Sequence, residues 1–261
     1  MENRRFYLST ISPDAPETAR RYGLGLEIAE YCTAYNMDER FPETDTAVRE
    51  KLGGISRRTL HAPFNELFPC AIDPRARALA AGRFRESIAL AKQYGAEKVV
   101  IHGGYNPKMY YPCWYTEQSA IFWKEFLRED PGVDIVLENV LEEEPESLLG
   151  IVRAVDSPRL GLCLDVGHAN AYSSVPAPDW LEKLAPYIRH FHLHNNDRSA
   201  DTHAPLDAGS IPMRGVLERA LALCPAASFA LELPENTAAG ALWLAENGCI
   251  TKENHPCPYR N

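Results

Sequence analysis

No disulfide or zinc-ribbon framework is encoded here. The seven cysteines, at positions 32, 70, 113, 163, 224, 249 and 257, are odd in number, irregularly spaced and free of any CxxC pair. Reduced and mostly buried thiols are expected. Long apolar runs are missing as well: none approaches the roughly 18 residues of a membrane span. The opening MENRRFYLSTISPD also lacks the continuous apolar region of a secretory leader. A soluble, cytoplasmic protein without a membrane partner is the expectation. Positive charge is scarce, with 27 basic residues against 36 acidic ones and a formal net charge of −9. That balance suits a surface built to hold a phosphate backbone poorly, although it leaves room for a local basic groove. Neither GxGxxG after a strand nor GxxxxGK[ST] occurs, so a dinucleotide or P-loop site has no textual support.

What the chain does have is apolar content, 45% over 261 residues, enough for a large core. Short apolar runs alternate with helix-period segments from end to end, the pattern of a parallel sheet. Expected strands are RFYLSTI from Arg5, GLEIAEY from Gly25, RTLHAPF from Arg58, KVVIHGG from Lys98, VDIVLENV from Val133, LGLCLDVGHA from Leu160, IRHFHLHN from Ile188 and SFALELPE from Ser228. Helices are expected at 15–21, 44–52, 74–94, 116–128, 145–155, 178–185, 213–223 and 237–246. In the third, Ala78, Leu79, Ala81, Phe84, Ile88, Ala89 and Ala91 read as an apolar stripe, and Gly95 as a left-handed cap. Eight strand–helix units with right-handed crossovers close most simply into an α/β (β/α)8 TIM barrel, a single domain over residues 1–261. An open doubly wound sheet is the alternative. The segment 250–261, with Pro256 and Pro258, reads as an extended C-terminal tail, and His255 as a surface residue.

Seven of the eight histidines, His61, His102, His168, His190, His192, His194 and His203, fall at expected strand ends or just beyond them. In a parallel barrel every strand C-terminus points to one rim, so His61, His102, Glu138, Asp165, His192 and Glu232 converge by topology. Burying so many carboxylates and imidazoles without a cation would be very costly, and a metal resolves the conflict. Glu138 interrupts an apolar run after Val136 and Leu137, and Glu232 lies between Leu231 and Leu233. His168 follows Asp165 by three residues, which lets both reach one site. His190, His192 and His194 share one strand face and cannot all be equivalent ligands. Asp201 and His203 form a DxH pair in the polar loop after the seventh strand.

The motifs HAPF, VVIHGG, VLENV, CLDVGHAN, HFHLHNND, DTHAPLDAG and LELPE, in this order, resemble the xylose isomerase-like TIM-barrel superfamily, which includes sugar isomerases and epimerases and the endonuclease IV type of abasic-site nuclease. The resemblance implies that Glu138, Asp165, His192 and Glu232 hold one divalent cation, with His192 the ligand of HFH. It implies further that His61, His102, His168, Asp201 and His203 are the ligands that expand the site to three ions in the nuclease. Five imidazoles among these donors suit Zn2+ or Mn2+, one to three ions, better than Mg2+.

Two enzyme classes follow. In a metal-dependent sugar, or sugar phosphate, isomerase or epimerase, Glu138 and Glu232 move the proton beside a carbonyl. The partner is then a small carbohydrate, with Phe64 and Trp114 among the aromatics walling the pocket and His194 contacting the substrate. In an endonuclease IV-like phosphodiesterase a trinuclear zinc site cleaves abasic DNA, the only reading with a nucleic-acid partner. The first is favoured, because no Lys/Arg/Trp-bearing loop suited to the minor groove is evident. A non-catalytic metal-binding barrel is the third reading. Sugar identity and oligomeric state are left open by the sequence.

Overall fold

The computed structural model describes residues 2–251. Eight parallel strands, β1 (Phe6–Ser9), β2 (Gly25–Ile28), β3 (Arg58–His61), β4 (Lys98–His102), β5 (Asp134–Glu138), β6 (Leu160–Asp165), β7 (Ile188–Leu193) and β8 (Ser228–Leu231), close in chain order into a barrel. The open doubly wound alternative is thereby excluded. Around them lie α1 (Ala15–Tyr22), α2 (Ala34–Asp38), α3 (Phe41–Leu52), α4 (Pro74–Tyr94), α5 (Pro112–Phe126), α6 (Glu146–Val155), α7 (Val166–Tyr172), α8 (Ala177–Leu184), α9 (Met213–Leu223) and α10 (Thr237–Glu246).

Strand side chains alternate between the barrel interior and the helical jacket. Val99, Ile101, Ile135, Leu137, Leu162 and Leu164 join the large core under the helices, whereas Val100, Val136 and Cys163 form a small cluster of their own. One residue pair further along, the same inward positions become His102, Glu138 and Asp165. Register aligns them: His102 pairs with Glu138 across β4 and β5, and Asp165 with His192 across β6 and β7. The apolar floor and the polar mouth are thus successive layers of one alternation.

Several expectations shift. Helix α4 buries Ala80, Phe84, Ser87, Ile88, Leu90, Ala91 and Tyr94, while Leu79 is 50% exposed, so the buried face is rotated from the expected stripe. Its ends are as expected, with Asp73 accepting from the Arg75 amide at 2.7 Å and Gly95 at φ 66°. LGLCLDVGHA is not one strand: β6 stops at Asp165, whose carboxylate caps the new helix α7 by accepting from the His168 amide at 2.7 Å. That cap places His168 in the first turn of a helix rather than in a loop. Beyond Thr251 the expected tail, with His255, Pro256 and Pro258, lies outside the described residues. No described helix is long and apolar enough to cross a membrane.

Candidate metal centre

Glu138 is the hub of the mouth. Its Oε2 lies 3.2 Å from His61 Nε2 and 3.4 Å from His102 Nε2, and its Oε1 3.1 Å from His192 Nδ1 and 3.3 Å from His168 Nδ1. Glu138 and His192 are fully buried. One ligand atom each from Glu138, Asp165, His192 and Glu232 falls within 4.8 Å of the others, as do those of His61, His102 and Glu138, and those of His168, His194, Asp201 and His203. All nine of the residues expected as ligands therefore gather at one rim, joined by His194.

Three of the imidazoles are oriented from behind. His61 Nδ1 donates to the Ala62 carbonyl at 2.8 Å, His168 Nδ1 to the Asn139 carbonyl at 2.9 Å and His203 Nδ1 to the Glu232 carbonyl at 2.9 Å. With those protons facing outward, Nε2 of each ring faces a carboxylate of the mouth, that of His61 towards Glu138 and those of His168 and His203 towards Asp201. Asn139 also braces Asp165, accepting from its amide and donating to its carbonyl, each at 2.9 Å. The polar loop after β7 folds back over the mouth because Asn195 and Ala204 form an antiparallel bridge with bonds of 2.9 and 2.8 Å. This closure brings in Asp201 and His203, the latter with a left-handed φ of 47°.

Beneath the rim lies a second polar layer. Glu27 of β2, fully buried, accepts from Thr59 Oγ1 at 2.9 Å and from His190 Nε2 at 3.0 Å, and its Oε1 is 2.9 Å from His192 Nε2. His190 Nδ1 in turn accepts from Ser228 Oγ at 2.7 Å. The three histidines of HFHLH accordingly occupy different depths: His190 serves Glu27, His192 faces the mouth with Nδ1, and His194 faces Asp165 and Asp201. Glu27 stands outside the expected ligand set. A glutamate inside the apolar stretch GLEI is the same signal that singled out Glu138.

The buried carboxylates and imidazoles of the cluster shift one another's protonation. Burial disfavours the Glu138 carboxylate, yet His192 and His102 outweigh it and hold Glu138 well below its ordinary range; His192 and His190 do the same for Glu27. Burial resists protonation of His203, but Asp201, Glu232 and Asp165 push it up to about 9. His102, where desolvation dominates, is pushed down to about 3. Among the described residues, His192 Nε2, His194 Nδ1 and Asp201 Oδ1 are buried without a hydrogen bond of good geometry. His192 Nε2 faces Glu27 below the rim, whereas Asp201 Oδ1 is left unpartnered at the mouth, and the carboxylates and imidazoles that converge there fit a divalent cation with mixed N and O ligands.

The aromatic residues divide. Phe64 stacks on His102 with ring centroids 4.3 Å apart, at the edge of the mouth. Trp114, in the first turn of α5, donates its indole N–H to the Cys70 carbonyl at 2.9 Å and is half-buried against the loop that follows β3.

The family described as xylose isomerase-like TIM barrel matches residues 22–247. An uncharacterized protein of Methanocaldococcus jannaschii is 37% identical over 177 residues, 61% of this chain and 58% of that protein, so the matched stretch spans less than two thirds of that relative. A solved structure described as a D-tagatose 3-epimerase-like protein superposes with a TM-score of 0.75 at 27% identity, covering 93% of this chain and 96% of the other. A protein of Thermus thermophilus, solved after soaking with zinc chloride, superposes with a TM-score of 0.72 at 25% identity, covering 93% and 97%.

Proposed function

Starting from a chain that belongs to the xylose isomerase-like TIM barrel family, we propose that this protein is a metal-dependent sugar isomerase or epimerase. The observation that carries the reading is the meeting of Glu138, Asp165, His192 and Glu232 within 4.8 Å at the C-terminal mouth of the barrel. Likeness to the D-tagatose 3-epimerase-like structure supports a carbohydrate substrate. These four residues would hold a Zn2+ or Mn2+ ion, which when bound would supply Lewis-acid polarisation of a substrate carbonyl.

The chain's own groups do the rest. Glu138 and Glu232 flank the place where the substrate's carbonyl end sits, and one removes the proton from the adjacent carbon while the other returns a proton. Returned to the opposite face of that carbon, the proton inverts a stereocentre; delivered to the former carbonyl carbon, it exchanges aldose and ketose. Asp165 and His192 keep the two glutamates in register, and Glu27 steadies His192 from below. Phe64, stacked on His102, offers an apolar wall to the carbons of the sugar.

A second reading draws on a specific observation. His61, His102, His168, Asp201 and His203 crowd the same rim, a donor set that also suits phosphodiester hydrolysis by clustered zinc. One experiment separates the two. Metal-loaded protein is incubated with a panel of ketoses in deuterated water and, separately, with duplex DNA carrying an abasic site. The expected result is deuterium entry beside the carbonyl and sugar conversion, both lost in Glu138→Gln and Glu232→Gln. Nicking of the duplex with no sugar turnover would reverse the assignment, and metal binding with neither activity would make the barrel a non-catalytic one.

A further inference from the structure

The rotation of α4 leaves part of its apolar stripe facing outward, away from the core. Leu79 is 50% exposed, Ala78 is exposed beside it, and on the neighbouring helix α5 Ile121 is 52% exposed. Between the two helices the jacket opens into a groove of about 330 Å3, floored by Phe122 and Phe126 and flanked by Ala78, Ala81 and Ile121. An exposed apolar patch rimmed by charge marks an interaction surface. The rim charges are divided by helix: Arg77 and Arg85 stand on α4, and Glu125 on α5. Arg77 is occupied, donating to the Ala71 and Ile72 carbonyls. Arg85 and Glu125 are not. The Arg85 guanidinium lies over the Phe126 ring at 5.2 Å, next to Glu125 in the chain, yet among the described residues neither Arg85 nor Glu125 makes an ion pair.

We propose that this groove is the interface of a two-fold dimer, filled by a second copy of the chain, with α4 of each copy on α5 of the other and Arg85 of each paired with the partner's Glu125. Helices α4 and α5 run in the same direction, because each returns from the C-terminal rim of a parallel barrel. A two-fold axis across them would set each helix on its own copy, bringing Arg85 toward Arg85 and Glu125 toward Glu125. An axis along the groove sets α4 on α5 twice over and keeps heights level. Since Arg85 and Glu125 both stand beside Phe126, each arginine then meets a carboxylate. Charge complementarity selects this second arrangement. The apolar parts agree with it, because each Ile121 lands on the partner's Ala78 and Ala81, whose small side chains leave room for it.

Such a contact is isologous and closes with two copies, so it builds no filament. It lies on the jacket and leaves the barrel mouth open. The two helices it braces follow β3 and β4, the strands that end in His61 and His102.

The test reads mass, not turnover, so its outcome is independent of the sugar reading. Full-length protein is examined by sedimentation velocity over a concentration series, with folding followed by circular dichroism. Wild type should sediment as a dimer. Arg85→Glu and Glu125→Arg should each raise the dimer dissociation constant by about tenfold or more, since either change sets like charges opposite one another twice in a two-fold contact. Mixing the two single variants should restore the dimer, because in the mixed pair both contacts again join opposite charges; the double variant should dimerise alone. A folding defect could not be repaired by mixing. Wild type that stays monomeric at its highest soluble concentration would overturn the proposal, leaving the groove to some smaller ligand. A dimer indifferent to both reversals would place the interface on another face and would overturn it too, as would single variants that mixing fails to restore. A dimer tightened by either single reversal would set each helix on its own copy, against the pairing claimed here.

Discussion

Glu27 Oε1 lies 2.9 Å from His192 Nε2, so a carboxylate from the second strand supports an imidazole from the seventh at the centre of the barrel. The contact leaves His192 Nδ1 free to face Glu138, Asp165 and Glu232 at 3.1, 3.7 and 3.5 Å. Carboxylates behind metal-bound histidines set the tautomer and raise ligand basicity, and losing one costs about 10- to 100-fold in metal affinity. Glu27→Gln should weaken the ion at Glu138 and Glu232 by that factor in a chelator competition, with its fold intact by circular dichroism. Affinity unchanged within about twofold would remove Glu27 from this role.

Gly167 tests the packing around His194. A Cβ at this position would sit 1.9 Å from His194 Cε1, although Gly167 lies within α7, where helix propensity favours alanine by about 1 kcal/mol. The ring contact should win: Gly167→Ala is expected to destabilise by about 1–3 kcal/mol, as overpacked sites do. Denaturant titration gives the sign directly, and stabilisation would mean that the ring moves aside freely.

Metal removal should loosen the mouth more than the jacket. Without a cation the buried carboxylates and lone pairs face one another, and any ion bound only by the folded state adds to its stability. Calorimetry with and without a chelator should show a lower melting temperature for the stripped protein, restored by adding zinc back. An unchanged melting temperature would argue that protonated histidines suffice.

A further prediction concerns acid stability. Asp14 caps α10 from the other end of the chain, accepting from the Thr237 amide at 3.1 Å, Thr237 Oγ1 at 2.8 Å and the Ala238 amide at 3.1 Å. Burial opposes its charge, but the bonds from Ser12, Ala238 and Thr237 outweigh that and hold its carboxyl below the ordinary value. A depressed folded-state pKa means stability that is complete above the unfolded value and lost as pH falls through the folded one. Asp14→Ala should cost about 1–2 kcal/mol, typical of a lost helix cap. The gap from wild type should be full above pH about 5 and should narrow below pH about 4. Denaturation at neutral and acid pH would show it, and a gap independent of pH would point to packing instead.

Much of this was legible in the order of residue types. A glutamate inside IVLENV or LELPE, or a histidine ending KVVIH, breaks a run whose neighbours must be buried, and period-two alternation then aims it inward. The same rule applied to GLEI marks Glu27, but the rule says only that the side chain is inside, not at which depth or beside which partner. Helix faces were less legible: in α4 the alanines scattered around the axis blurred the stripe, and tertiary contacts selected Ala80, Leu90 and Tyr94. The end of β6 was misplaced because VGHA carries no helix-start signal except the capping carboxylate of Asp165, which reads equally well as the last strand residue.

From the one-dimensional pattern alone come the strand–helix alternation, the closed barrel and the donor set at its mouth, since periodicity and side-chain chemistry are local properties of the chain. Three-dimensional closure decided the rest: that His190, His192 and His194 serve three different partners, that the bridge between Asn195 and Ala204 carries Asp201 and His203 over the rim, and that His194 turns a bare nitrogen toward Asp201. The reason is geometric. Which ring nitrogen meets which oxygen depends on strand register and loop closure across the barrel, to within fractions of an ångström, and residue order does not specify distances of that kind.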